Sequence, residues 1–181
     1  MTLHDLLDQY AQLPTITQLA QKIRESDDSR HYHFAQTYGS QRQLLAAALL
    51  SKTQRAGVIL LNEREAAIYA ANELEALLPE RRVLVFPASG KRPGEYENVD
   101  NANVLQRAEV LNAVNSSQPG QTLIVTYPEA LLEKVVNRTA LVQNTLRVEK
   151  GYELGQDFVA EVLSEYGFQE VSFVVEPGQY A

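Results

Sequence analysis

With 181 residues, 45% of them hydrophobic and 22% charged, the chain can bury one full domain and part of another, and no stretch approaches the ~20 apolar residues of a membrane span. The absence of cysteine excludes disulfides, thiolate metal sites and cysteine nucleophiles. A net charge of −7 speaks against this chain holding a nucleic-acid backbone alone, and Met1 to Asp5 lack a secretory pattern, so a cytoplasmic location with no membrane partner is expected.

Leu3, Leu6, Leu7, Tyr10 and Leu13, then Ile16, Leu19, Ala20 and Ile23, recur at helical spacing around Pro14 and predict two short amphipathic helices. The polar run 25–30 reads as a loop, and His31-Tyr32-His33-Phe34-Ala35 alternates as a short strand before a turn at Gly39. Leu44, Leu45, Ala48 and Leu49 predict a helix that ends at Ala56-Gly57, followed by a strand at Val58-Ile59-Leu60-Leu61. Asn62 and Glu65 resemble a capping box for a helix carrying Ile68, Ala71, Leu74, Leu77 and Leu78, which Pro79 stops. Val83 to Phe86 reads as a buried strand, and 87–102 as a long irregular connection. Val104, Ala108, Leu111 and Val114 mark the next helix, Ser116 to Gly120 a turn, Thr122 to Thr126 a strand, and Pro128 a helix start.

Short apolar strands separated by amphipathic helices predict an α/β fold, a parallel sheet flanked by helices, because right-handed crossovers place helices on the sheet's faces. Beyond Asn137-Arg138-Thr139 the pattern becomes a strand (Thr145 to Glu149), a helix (Phe158, Val159, Val162, Leu163, Tyr166), Gly167 and a strand (Val171 to Val175). The expected organisation is therefore a helical extension over 1–30, an α/β domain over 31–142 and the start of an α+β second domain over 143–181.

A strand, a glycine turn and a helix form the frame of a phosphate-binding loop, in which backbone N–H groups and a lysine cradle phosphates. Laid on GxxxxGK[ST], the segment from Gln36 to Gln43 has Gln36 and Gln41 at the glycine positions, Arg42 for the lysine and Gln43 for the magnesium-binding hydroxyl. Glutamine obstructs close backbone approach, and losing the hydroxyl removes a metal ligand. Gly39, Ser40, Gln41, Arg42 and Gln43 thus form a degenerate phosphate loop, with Ser40 and Gln43 spaced as a capping box. No catalytic, cofactor-binding or metal residue is assigned.

Gly39-Ser40, Phe86-Pro87, Gln106-Arg107, Ala130-Leu131, Gly151, Gly167-Phe168-Gln169-Glu170-Val171 and the closing Glu176-Pro177-Gly178-Gln179-Tyr180-Ala181 form a series. It resembles the amino-terminal region of the transcription-repair coupling factors (Mfd), itself similar to the UvrB excision-repair helicase, from residue 31 onward. The closing segment is its most specific part. The resemblance implies a helicase-like first domain with an inactive phosphate loop, unlike UvrB, and an inserted second domain that binds UvrA. It also implies a parent protein that displaces stalled RNA polymerase by ATP-driven translocation on DNA. ATP and magnesium then belong to motor domains elsewhere, as do polymerase and DNA contacts, and this chain holds only the start of the second domain. In the family an Arg-Gly dipeptide, whose arginine contacts UvrA, follows the Tyr-Ala pair. No counterpart lies within residues 1–181, so no UvrA-binding residue is carried over.

His31 and His33 would share a strand face and supply two metal ligands without a third. Glu95, Glu97 and Asp100 read as a solvated loop, Lys91-Arg92 is too short for a nucleic-acid stripe, and packing explains Tyr96 and Arg107. The expected role is a non-catalytic interaction module. Two other classes keep the same element order: a nucleotide-dependent helicase-like or Rossmann-like enzyme, which needs a phosphate cradle, and a small-molecule binder using the crevice at the strands' carboxyl ends.

Overall fold

A computed structural model describes residues 2–25, 30–53, 55–90, 101–116, 120–135, 137, 139, 146, 148, 150–151, 153–175 and 178–181. Two helices open the chain, α1 (Leu3–Ala11) and α2 (Pro14–Glu25), with Pro14 at the first position of the second, where its missing N–H costs nothing. Thr2 and Asp5 cap α1 reciprocally, the Thr2 hydroxyl accepting from the Asp5 amide and the Thr2 amide donating to the Asp5 carboxylate, and the hydrogen bond from the Thr2 backbone leads in holding that carboxyl below the ordinary aspartate value. Both helices pack on α3 (Gln41–Thr53), whose fully buried Ala47 and Ala48 allow close approach. Leu7 and Ile16 join one buried cluster with Leu74 and Leu123.

The sheet consists of β1 (Gly57–Leu60), β2 (Arg82–Phe86) and β3 (Thr122–Thr126), all parallel in the order β1-β3-β2, with α4 (Arg64–Leu77) and α5 (Asn101–Ser116) as crossovers. The step from β1 to β2 passes over β3, and the step from β2 to β3 comes back. Right-handed connections therefore put α4 and α5 on opposite faces. Gly57 lies so close to Leu50 and Leu123 that an added Cβ would stand 3.1 and 3.0 Å from their methyl groups, so the start of β1 seats α3 tightly. Arg81 donates to the backbone carbonyls of Leu50 and Arg55, satisfying an acceptor in the last turn of α3, and partial burial lowers its guanidinium below the usual arginine range. Behind β3, Pro128 opens the short α6 (Pro128–Leu132).

Several expected features differ. Residues 31–35 form no strand and are all exposed, because neither edge of the sheet pairs with them: β1 and β2 bond only to β3. The glycine turn therefore follows an irregular segment. Glu63, not Asn62, is the N-cap of α4, and no side chain caps that end. In α5 the buried stripe is Asn103, Arg107, Val110 and Ala113, whereas Val104 and Val114 of the apolar stripe are 40% and 53% exposed.

Beyond residue 150, α7 (Gln156–Glu165) buries no side chain. In place of the expected strand from Val171 to Val175, two-residue strands β4 (Gln169–Glu170) and β5 (Gln179–Tyr180) pair in parallel. The Val175 amide donates to the Gln179 side chain, and turn geometry replaces extended pairing there. The expected strand at 145–149 lies mostly outside the described residues, and Leu146 and Val148, which are described, are not in a strand. Among the described residues no helix is long and apolar enough to cross a membrane.

Leu74 is fully buried between α4 and the sheet, so Leu74→Ala is expected to lower unfolding free energy by about 3 kcal/mol in urea titration. Leu132→Ala, at a side chain 85% exposed, is expected to change it by less than about 0.5 kcal/mol.

Candidate functional site

The first candidate is the turn into α3. The backbone there is left-handed at two positions: φ is 59° at Gln36, the first glycine position of the motif, and 52° at Gly39. The expected capping box is not made. The Ser40 hydroxyl instead donates to Glu73 Oε1 of α4 at 2.6 Å, and the Gln41 side chain reaches back to accept from the Tyr38 amide at 3.3 Å. A partner 33 residues away outcompetes the local cap because a charge-assisted hydrogen bond is stronger than a neutral one.

A cavity of about 460 Å³ lies beside this turn, lined by Gly39, Ser40, Gln43, Ile59, Tyr69 and Glu73, with Arg42 exposed at its edge. The Gln43 Oε1 acceptor is buried there without a donor. Gln43 and the carboxylate-bearing Glu73 line this cavity, where a phosphate would need donors. A second anion is repelled there, while a donor group would be welcomed.

The second candidate, where packing alone was expected, is centred on Arg107. The carboxyl ends of β2 and β3 are knitted together: Thr126 Oγ1 donates to the Phe86 carbonyl at 2.9 Å, and the Ala88 amide to the Tyr127 hydroxyl at 2.8 Å. Arg107 reaches across them from α5. Its Nη1 donates to the carbonyls of Pro87 at 2.6 Å and Ala130 at 3.2 Å and lies 3.4 Å from Glu133 Oε2, while its guanidinium stacks 4.3 Å from the centre of the Phe86 ring. Glu133 in turn accepts from the Ser89 amide at 3.0 and 2.9 Å.

Arg107 is only 7% exposed, and its Nη2 is buried with no hydrogen-bond partner. Such an orphan donor costs roughly 1–3 kcal/mol or more when charged, an unusual expense in an otherwise satisfied network. Arg107 also lines a cavity of about 480 Å³, with Val104, Ala108 and Leu111 of α5 and with Glu133, Lys134 and Val135. The available signal was the arginine's place among Asn103, Val110 and Ala113, a stripe at helical spacing that mixes polar with apolar residues.

His31 and His33 are exposed on an irregular segment, and among the described residues no three histidine or carboxylate side chains gather as a metal site. Lys91, Arg92, Glu95, Tyr96, Glu97 and Asp100 lie outside the described residues.

No protein-family model matches the chain. It is 24% identical over 144 residues to the transcription-repair-coupling factor of Bacillus subtilis (strain 168), a match spanning 79% of this chain and 12% of that protein. The two are distantly related.

The left-handed turn makes opposite demands at its two ends. Gly39→Ala is expected to destabilise by about 1 kcal/mol, since a Cβ is strained at that φ although nothing lies within 4 Å of it. Gln36→Gly is expected to be neutral or stabilising by up to about 1 kcal/mol, because strain removed offsets entropy lost. Urea titration of both variants measures the two signs.

Proposed function

We propose that the chain is a non-catalytic interaction and regulatory module of a transcription-repair coupling protein that works on DNA in the cytoplasm. The observation carrying this reading is the similarity to the Bacillus subtilis transcription-repair-coupling factor across 79% of the chain. The degenerate turn supports the non-catalytic part: Gln36 and Gln41 stand at the glycine positions, Arg42 and Gln43 replace lysine and hydroxyl, and Glu73 sits at the head of α3. Hydrolysis of ATP, translocation and displacement of RNA polymerase then belong to other parts of the parent protein, where ATP and magnesium act.

In this reading the first domain is UvrB-like in plan, and recruitment of UvrA falls to the second, whose start is residues 143–181. The arginine that the family uses against UvrA has no counterpart within residues 1–181. A pull-down with purified UvrA is expected to retain a form of the parent extended through the whole second domain, and to retain residues 1–181 at least about tenfold less, the loss typical of one charged contact. Equal retention would move the interface onto the first domain. Capture of neither would remove the repair reading itself.

A further inference from the structure

We infer that the cavity beside Arg107 is a binding site for a carboxylate carried on an apolar body. Three independent features converge on that chemistry. Arg107 is 7% exposed and already spends Nη1 on Pro87, Ala130 and Glu133, yet its buried Nη2 has no partner. The lining is net positive, with Arg107 and Lys134 against Glu133, and Lys134 pairs with no carboxylate among the described residues. The walls are apolar, and they are formed by the stripe that periodicity marks as core: Val104, Ala108 and Leu111 turn toward the cavity while the neighbouring stripe of α5 is buried.

A mostly apolar concavity of this volume with a few convergent polar groups is the usual form of a small-ligand site. Its position at the carboxyl ends of parallel strands is where such sites occur in open α/β sheets. Arginine, with its planar fork, suits a carboxylate better than a lysine would. Lys134, at the exposed edge, adds long-range attraction without being needed for the fold. The site is independent of the repair reading and of the Gly39 turn.

The test is a titration of the amide, methyl and arginine side-chain resonances of the 181-residue chain with hexanoate, hexanol and hexylammonium in parallel. Hexanoate is expected to cause saturable shifts at Val104, Ala108, Leu111 and the Arg107 guanidinium, hexanol to bind about tenfold more weakly, and hexylammonium not at all. Ala108→Leu, which fills the cavity from its wall, is expected to abolish the hexanoate shifts. Lys134→Glu, a surface change that leaves thermal unfolding unaltered, is expected to weaken them several-fold. A blocked Leu-Glu dipeptide distinguishes the source of the carboxylate: tighter binding than hexanoate points to an acidic polypeptide segment, weaker binding to a free acid. Equal affinity for hexanoate and hexanol, hexanoate shifts that survive both substitutions, or no saturable shift overturns the proposal.

Discussion

One buried guanidinium holds the carboxyl edge of the sheet together. Arg107 bonds to backbone carbonyls that follow two different strands, stacks on Phe86 and pairs with Glu133, which itself holds the Ser89 amide. A charge 93% removed from solvent is tolerable only with such partners, because desolvation otherwise exceeds the Coulombic gain. Its consequence is geometric. To reach both strand ends, α5 must roll so that Asn103, Arg107 and Val110 face inward, which leaves Val104 and Val114 largely outside. Val104, Ala108 and Leu111 of that outer stripe line the cavity beside Arg107.

The sheet was legible in the sequence for a simple reason. Strands of a parallel sheet read as short continuous apolar runs, and Val58 to Leu61, Val83 to Phe86 and Thr122 to Thr126 are such runs. Alternation was a poorer guide. His31 to Ala35 has the period of a strand, but a strand needs a neighbour with free backbone groups in register, and nothing local says whether one exists. Val171 to Val175 failed in the same way, where a two-residue ladder and a glutamine side chain take up the backbone.

The two candidate sites were unequally readable. The departures at Gln36, Gln41, Arg42 and Gln43 are a matter of residue identity, open to inspection. Glu73 is not, because its hydrogen bond to Ser40 joins residues 33 apart through the packing of α3 on α4. Arg107 was hidden for a related reason: a charged residue on a helix is ordinarily solvated, and the carbonyls that make its burial tolerable come from segments 20 and 23 residues away. In both places long-range hydrogen bonding overrode the local pattern.

Under the proposed function, the turn at Gly39 supports structure and holds no nucleotide. A carboxylate and an orphaned carbonyl where phosphate needs donors give that claim its physical content. Following the amide resonances of Gly39 to Leu44 during titration with magnesium-ATP tests it most directly. The account predicts no saturable change at these positions. Saturable, magnesium-dependent shifts centred on Gly39 to Leu44 would contradict it.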